Sequence, residues 1–293
     1  MAEVAEKLRG LDEFPNSTEL TDKLIRLQAH MANHLNDGVV IAFSGGIDSA
    51  FLLWIANGVR KKFGGNFLAL TTSSASMPQT DVEDAKRFAA KLGVEHVWKD
   101  STELQQSEYI RNDIRRCYYC KSELFSIAET VAKEWNYRWI IYGYNASDRG
   151  DFRPGHKAAQ ERGVLFPLAD IGFTKEEIRT IMRQNDIKLA EKPASPCLSS
   201  RIMHGIPITS KNLRDIDHIE SILRHGGVKI YRVRLCAEKN FGFTFLRIEV
   251  DPKEMPRVLT IREKIVQEGQ KRGYPWVTLD LGGYRTGGGT GGT

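Results

Sequence analysis

The most informative segment of this chain is VVIAFSGGIDS, residues 39–49, in which a short apolar run leads directly into a glycine-rich turn. An apolar-periodic stretch at residues 51–59 follows, so the segment predicts a buried strand, a tight loop and a helix. Such a loop gathers backbone N–H groups and a helix N-terminus around one point, which favours an anion. Gly45 and Gly46 leave no side chain between the backbone and that ligand. We therefore predict a phosphate loop that consists of Ser44, Gly45, Gly46, Ile47, Asp48 and Ser49.

The hydroxyl groups of Ser44 and Ser49 are expected to meet phosphate oxygens, and Asp48 is expected to orient the phosphate loop or a Mg²⁺ ion. The loop lacks the Gly-x-x-x-x-Gly-Lys-Ser/Thr spacing of P-loop nucleotidases and the Gly-x-Gly-x-x-Gly spacing of dinucleotide folds. Both of those protein classes are therefore excluded.

The rest of the first two thirds of the chain alternates between predicted strands and helices. Apolar runs predict further strands at residues 67–71, 96–98 and 139–142. Three- and four-residue apolar spacing predicts helices at residues 17–36, 79–92, 120–134 and 175–185. The last helix follows Thr174, with Glu177 at the spacing of a capping box. This alternation predicts an α/β fold, a parallel sheet with helices on both faces.

The pattern changes in the last third of the chain. From Lys211 onward the sequence predicts helices at residues 213–224 and 255–271 and strands at residues 230–235, 243–250 and 276–281. We therefore predict a large α/β domain over residues 1–205 and a small α+β domain over residues 206–286. The proline-rich residues 191–207 are expected to form an irregular connection. The glycine-rich residues 287–293 predict a flexible tail.

Composition and charge exclude several classes of protein. The chain has 293 residues, of which 41% are hydrophobic and 27% charged, which is typical of a folded protein rather than a disordered one. No run approaches about 18 consecutive apolar residues, and the polar first thirty residues do not resemble a signal peptide, so we expect a cytoplasmic protein with no membrane partner. The net charge of +5 is too small to imply a nucleic-acid partner, and none is expected.

Three of the four cysteines form a candidate reactive group. Cys117 and Cys120 make a Cys-x-x-Cys motif just before a predicted helix, where the pKa of a thiol is lowered, and Cys197 lies in the proline-rich connection. In a long chain with few cysteines, such residues indicate metal or catalytic chemistry before disulfides. An iron–sulfur cluster, a zinc site, a Cys117–Cys120 disulfide and unligated thiols all remain open. Cys236 is predicted to be a buried, small apolar residue.

The phosphate loop resembles the PP-loop of ATP pyrophosphatases, which cleave ATP between the α- and β-phosphates to adenylate a substrate. Longer segments resemble the LarE family of ATP-dependent sulfur transferases, and the resemblance extends from about residue 20 to residue 286. The segments are YGYNASD (142–148), GDFRPG (150–155), SPCLSSR (195–201), RVR (232–234) and VTLDLGGYR (277–285).

This resemblance implies an activity and a substrate. Such proteins convert the carboxylates of a pyridinium mononucleotide into thiocarboxylates, a step in making the nickel-pincer nucleotide cofactor of lactate racemase. It implies an adenine nucleotide alpha hydrolase-like fold for the first domain, ATP and Mg²⁺ as cofactors, and a homo-oligomer, either trimer or hexamer. The expected partners are a pyridinium biscarboxylate mononucleotide and a sulfide or persulfide donor.

The expected binding residues lie at predicted strand ends, on a predicted strand or beside Cys197. The main chain of Thr71 is expected to face the adenine. Arg232 and Arg234 alternate along one strand, and their guanidinium groups would suit the substrate phosphate. The full set is Thr71, Asp148, Asp151, Arg153, Ser200, Arg201, Arg232 and Arg234.

For the cysteines, the resemblance implies a [4Fe-4S] cluster held by Cys117, Cys120 and Cys197, which would leave one iron open for hydrosulfide. The expected catalytic residues are these three and Asp48. Some family members have only the equivalent of Cys197, whose sulfur is sacrificed, and carry an aromatic residue at the position of Cys117; this chain departs from that pattern. The alternatives are a transferase that sacrifices the sulfur of Cys197 without a cluster, a PP-loop tRNA thiolase and a non-catalytic sulfur carrier.

Overall fold

The computed structural model describes residues 18–148, 154–193, 195–238 and 242–285. Within these residues the chain divides into two compact units. The first comprises residues 18–73, 80–101 and 120–195, and the second comprises residues 74–79, 102–119 and 196–285. The two units therefore interleave along the chain. The domain boundary predicted after residue 205 remains a prediction.

The first unit is built on a parallel sheet of four strands, β1 (Val39–Ala42), β2 (Phe67–Ser73), β3 (His96–Asp100) and β4 (Trp139–Tyr142). Their order across the sheet is β3-β2-β1-β4, and every pairing is parallel, so each connection must cross over. Val39 of β1 pairs with Phe67 on one side and with Trp139 on the other. All four residues of β1 are buried, as expected for a central strand of a parallel sheet whose faces are covered by helices.

Helices supply the crossovers of this sheet. Helix α1 turns one apolar face inward, so that Leu27, Met31 and Leu35 are fully buried at the predicted spacing. No helix in the described part of the chain is both long and apolar enough to cross a membrane. In chain order the helices of both units are α1 (Thr18–Leu35), α2 (Ile47–Phe63), α3 (Gln79–Leu92), α4 (Ser107–Ile110), α5 (Arg116–Glu134), α6 (Pro154–Glu161), α7 (Pro167–Ile171), α8 (Lys175–Gln184), α9 (Ser210–His225), α10 (Met255–Thr260) and α11 (Arg262–Lys271).

The second unit contains a small mixed sheet of β5 (Tyr231–Glu238), β6 (Phe243–Val250) and β7 (Val277–Leu279). Strands β5 and β6 are antiparallel, whereas β6 and β7 are parallel. Helix α9 packs on β5 and buries Leu213 and Ile216 completely. The predicted fold class, a parallel α/β sheet with flanking helices and a small C-terminal α+β part, is confirmed.

Several predicted boundaries were wrong. The helix predicted at residues 255–271 is two helices, because Ile261 between them leaves the helical region with φ of −112° and ψ of 10°. The helix predicted to begin at Cys120 begins at Arg116, so Cys117 and Cys120 lie inside its first turns rather than before it. The short helices α6 and α7 were not predicted, since neither is long enough for a clear apolar period. The capping box of Thr174 and Glu177 is confirmed.

A hydrogen-bonded chain of three residues joins β1, β2 and β3. The hydroxyl of Thr71 donates to the carbonyl of Phe43 at 2.6 Å, so it must accept from His96 Nε2 at 2.8 Å. Burial, together with the positive charge of Lys86, lowers the pKa of His96 from 6.5 to about 4. The imidazole is therefore neutral at neutral pH and carries its proton on Nε2.

We predict that the free energy of unfolding falls as the pH is lowered from about 6.5 toward about 4, in part because of His96. The unfolded chain binds a proton at the ordinary histidine pKa, whereas the folded chain binds it only near 4, so protonation favours unfolding in this window. In urea titrations at about pH 7 and about pH 5, His96→Gln should lose less stability than the wild type, and its amide can still donate to Thr71. His225→Gln, at the exposed end of α9, is the matched control. An unchanged pH dependence in His96→Gln would contradict the prediction.

Candidate functional site

The phosphate loop connects the buried strand β1 to helix α2 in the first unit. Gly46 is the N-cap of α2 and provides no side-chain acceptor, so the N–H groups of the first helical turn are not capped by it. Gly45 has a φ of +70°, in the left-handed region that glycine adopts at little cost. These backbone N–H groups and the positive end of the helix dipole form a setting suited to a phosphate.

The two serines of the phosphate loop form hydrogen bonds within the loop. Ser49 is buried, and its hydroxyl donates to the carbonyl of Gly46 at 3.0 Å while accepting from the backbone N–H of Ser44 at 3.3 Å. The backbone N–H of Gly46 lies 3.4 Å from the hydroxyl of Ser44, which is exposed. The two hydroxyls therefore shape the loop, and their predicted contact with phosphate oxygens remains a prediction.

Two glycines allow other backbone segments to approach the phosphate loop closely. A Cβ atom on Gly45 would lie 2.7 Å from the backbone carbonyl oxygen of Asp81 in the first turn of α3. A Cβ atom on Gly143, which follows β4, would lie 2.9 Å from the backbone nitrogen of Ser49. Real Cβ atoms do not come so close to backbone atoms, so both positions require glycine.

Asp48 is the acidic group of the phosphate loop. Its side chain is only 15% exposed, and its Oδ2 lies 3.8 Å from Lys175 Nζ. Burial raises the pKa of Asp48; the positive charge of Lys175 opposes this, and the negative charge of Asp148 adds to it. Asp48 Oδ1 is buried without a hydrogen-bond partner among the described residues. One or two carboxylates beside substrate phosphates are the ligands that Mg²⁺ takes, so Asp48 and Asp148 fit such an ion.

The other residues predicted for the first unit lie in different places. Thr71 is buried in β2, with its side chain in the hydrogen-bonded chain to Phe43 and His96. Asp148 is buried at the end of the short 3-10 helix Ala146–Asp148. Asp151 and Arg153 lie outside the described residues.

The second unit holds Cys197 at the start of the 3-10 turn Leu198–Arg201. The carbonyl of Cys197 accepts hydrogen bonds from the backbone N–H of Ser200 at 3.0 Å, the hydroxyl of Ser200 at 2.7 Å and Arg201 Nη1 at 2.9 Å. The backbone N–H of Leu198 donates to the carbonyl of Ser76 at 2.7 Å. The backbone of Cys197 is therefore fixed by three hydrogen bonds to its carbonyl and by one from the N–H of Leu198.

Arg201 joins the Cys197 turn to helix α9. Its side chain is 2% exposed, and its guanidinium forms a two-point pair with Glu220, with Nε to Oε1 at 2.7 Å and Nη2 to Oε2 at 3.1 Å. Its Nη1 also donates to the carbonyl of Pro196. Glu220 Oε1 accepts from the backbone N–H of Val233 in β5 at 3.1 Å. Arg201 therefore acts on the cysteine through its backbone.

A second polar connection links the turn to the start of helix α5. Arg116, only 8% exposed, donates from Nη1 to the Asn112 side-chain oxygen at 2.6 Å and to the carbonyl of Ser199 at 2.9 Å. Asn112 is fully buried with a φ of +56°, and its Nδ2 donates to the carbonyls of Met203 and Ile206 at 3.0 and 2.9 Å. Because Arg116 precedes Cys117, this connection ties the backbone beside Cys117 to the turn of Cys197.

The three candidate cysteines differ in setting. Cys117 is exposed, whereas Cys120 and Cys197 are half-buried. Burial raises the pKa of the Cys197 thiol, while the charge of Arg116 lowers it and that of Cys117 raises it. The division between the units falls between Cys117 and Cys120. Among the described residues, no group of three His, Cys, Asp or Glu side chains was found that could hold a metal ion.

Arg232 and Arg234 lie on β5, and both are buried. Arg234 Nε lies 3.0 Å from each carboxylate oxygen of Glu249. The pKa of Arg232 is lowered first by burial and then by the positive charge of Arg201, and Arg234 acts in the same direction. Three guanidinium groups therefore crowd one region that contains two buried carboxylates, Glu220 and Glu249.

Comparisons with known proteins agree with these features. Residues 20–113, which include the phosphate loop, match the family model described as NAD synthase. The chain is 37% identical over 253 residues to the uncharacterized protein slr1717 of Synechocystis, and this match covers 86% of the chain and 91% of the relative. The chain belongs to the family of that protein.

Two further relatives are named for an activity. The pyridinium-3,5-bisthiocarboxylic acid mononucleotide synthase of Lactiplantibacillus plantarum is 29% identical over 250 residues, which cover 85% of this chain and 87% of the relative. The tRNA-specific 2-thiouridylase MnmA of Treponema denticola is 26% identical over 239 residues, which cover 67% of this chain and 65% of the relative. These similarities support the predicted resemblance to the LarE family.

Sequence reasoning missed several residues that shape these regions. Arg116 and Glu220 were not predicted as site residues, since charged side chains on helices are usually exposed, yet both are buried. Asn112 gave no signal, because its left-handed backbone and its carbonyl partners are far away in sequence. Lys175 begins a predicted helix that follows the Asp148 segment, and this position could have indicated that it lies near the phosphate loop.

We predict that Arg116→Gln lowers the free energy of unfolding by about 1–3 kcal/mol, because it leaves buried oxygens of Asn112 and Ser199 without their donor. Arg115→Gln is the matched control, since the Arg115 side chain is 57% exposed and forms an ion pair with Asp113 at 3.2 Å on the surface. That control should leave the free energy of unfolding close to that of the wild type. Urea unfolding followed by tryptophan fluorescence measures both, and equal losses for the two variants would contradict the prediction.

Proposed function

We propose that this protein is an ATP-dependent sulfur insertase that adenylates carboxylates of a pyridinium mononucleotide and converts them into thiocarboxylates. The observation that carries the proposal is the phosphate loop, with its uncapped helix start and its acidic Asp48, in a chain whose cysteine turn is held by Arg201 and Arg116. The similarity to a pyridinium-3,5-bisthiocarboxylic acid mononucleotide synthase over 85% of the chain supports the substrate class.

The chemistry has two steps. A carboxylate oxygen of the substrate attacks the α-phosphorus of ATP, the bond to the bridging oxygen of the β-phosphate breaks, and pyrophosphate leaves. A sulfur nucleophile then attacks the activated carbonyl carbon, and AMP leaves with the carboxylate oxygen. The phosphate loop would hold the β- and γ-phosphates through its N–H groups, and Lys175 lies beside Asp48 to balance its charge. Bound Mg²⁺ would neutralise phosphate charge.

The substrate phosphate would be held by the arginines of β5. In this region Glu249 pairs with Arg234 and with Arg247, and Glu220 pairs with Arg201. Burial and the positive charges of Arg201 and Arg234 lower the pKa of Arg232, and a bound phosphate would favour its charged form. This supports the expectation that Arg232 takes part in phosphate recognition.

The cysteines are the residues that would provide the transferred sulfur. Three thiols, Cys117, Cys120 and Cys197, form a soft donor set suited to a [4Fe-4S] cluster with one open iron. Without a cluster, Cys197 would supply its own sulfur or a persulfide. Its backbone anchoring by Arg201 and Ser200 suits either role.

A tRNA thiolase is the second candidate, and the similarity to MnmA proteins of Treponema denticola and Persephonella marina favours it. That activity would share the adenylation step and differ in the acceptor. A gel shift with tRNA that weakens steeply with salt would support it.

We predict that the protein releases AMP and pyrophosphate when ATP, Mg²⁺, pyridinium biscarboxylate mononucleotide and sulfide are present. Asp48→Asn should lower AMP formation by roughly 100-fold because a Mg²⁺ ligand is lost. Cys197→Ala should still release pyrophosphate but form no thiocarboxylate, since adenylation precedes sulfur transfer. Chromatography of the nucleotides and mass spectrometry of the product measure the two steps separately.

Asp170→Asn, at an exposed position in α7, is the control and should behave as the wild type. Absence of AMP formation by the wild type with every reactant present would overturn the proposed function. AMP formation with tRNA, and not with the mononucleotide, as acceptor would show that the protein is a tRNA thiolase.

We predict about four irons and four acid-labile sulfides per chain in protein purified without oxygen. Cys117→Ala should lose them, and Cys236→Ala, a buried position in β5, should retain them. Iron and sulfide assays with an absorption spectrum provide the measurement. A wild-type protein without iron even after anaerobic reconstitution would remove the cluster and leave Cys197 as the sulfur donor.

A further inference from the structure

Lys192 occupies a position behind the phosphate loop that the proposed function does not use. Its Nζ donates to the carbonyl of Gly45 at 3.1 Å and lies 2.9 Å from Asp81 Oδ1 and 2.8 Å from Asp84 Oδ2. The Lys192 side chain is only 14% exposed. One ammonium group therefore contacts the loop backbone and two carboxylates of helix α3.

The backbone at Lys192 is held in place independently of these contacts. Arg179 of α8 donates from Nη2 to the carbonyl of Lys192 at 2.9 Å and from Nη1 to the carbonyl of Ala190. A lysine whose backbone is fixed in this way loses less conformational freedom when its ammonium group binds. It therefore differs from a surface lysine that meets a carboxylate by chance.

The two carboxylates lie close to where an anion would bind. Gly45 packs directly against the backbone of Asp81, since a Cβ atom on Gly45 would meet the Asp81 carbonyl at 2.7 Å. The Asp81 side chain is 8% exposed and that of Asp84 is 28% exposed, so solvent screens their charges only in part. Arg87 also contacts Asp84 at 3.0 Å, but its side chain is 73% exposed and contributes little. Without Lys192, two negative charges would repel a phosphate on the loop.

We propose that Lys192 is a positioning residue for the pyrophosphate end of ATP, because it holds the Gly45 turn and neutralises Asp81 and Asp84 behind it. This inference rests on the proposed binding of ATP at the phosphate loop. Lys192 itself points at the carbonyl side of the loop and leaves the N–H groups for the ligand. It therefore affects the phosphates through the loop and through charge.

The test measures binding of inorganic pyrophosphate, ATP and AMP by calorimetry with the full chain. Lys192→Met should weaken pyrophosphate and ATP binding about tenfold or more and should change AMP binding by less than about twofold. A role in overall folding alone would weaken all three ligands together. Adding Asp84→Asn to Lys192→Met removes one repelling charge and should restore part of the lost pyrophosphate affinity, which a loss of packing would not allow.

Lys188→Met is the matched control, because Lys188 is exposed four residues earlier in the same segment. Thermal melting confirms that each variant is folded, and Asp84→Asn alone, which keeps the Lys192 contacts to Gly45 and Asp81, should bind pyrophosphate at least as tightly as the wild type. Equal affinities of wild type and Lys192→Met for pyrophosphate would overturn this inference and leave the proposed function intact. A wild type that binds neither ATP nor pyrophosphate would overturn both.

Discussion

Close backbone packing around the phosphate loop is the constraint on which the first unit depends. Strand β1 is buried between two parallel neighbours, so the chain must leave the sheet at its end and begin helix α2 within four residues. The left-handed Gly45 makes this turn possible and lies against the backbone of α3, while Gly143 lets the chain after β4 reach the backbone of Ser49. The helix start is thereby surrounded by backbone rather than by side chains, which leaves its N–H groups available to an anion.

In the second unit, side-chain hydrogen bonds hold Cys197 on an irregular segment. Residues 195–201 have little regular structure of their own, and the carbonyls of the segment are satisfied by side chains instead. Arg201 and Arg116 reach these carbonyls from inside the unit, and Glu220 and Asn112 hold the two arginines in turn. Buried charges of this kind add little net stability even when paired. Their contribution here is geometric, because they fix where the backbone of Cys197 runs.

Charge is distributed in a way that suits the proposed reaction. Three aspartates near the phosphate loop have a lysine within 4 Å, Lys175 for Asp48 and Lys192 for Asp81 and Asp84. The β5 region of the second unit has the opposite character, with arginines in excess of the buried glutamates. A nucleotide triphosphate with Mg²⁺ suits the first setting, and a phosphate monoester suits the second.

The sequence by itself determined the local features of this protein. Apolar runs and periods predicted β1, β2, β4, α3 and the capping box of α8, because strand burial and helix amphipathicity depend on residues close together in the chain. The glycines and serines of the phosphate loop were recognised for the same reason. Tertiary structure alone decided that Arg116 and Glu220 are buried, that Asn112 joins three segments, and that Lys192 stands behind Gly45. Each of these contacts joins residues far apart in sequence, and a single sequence has no local pattern that records which distant carbonyl or carboxylate a long polar side chain will meet.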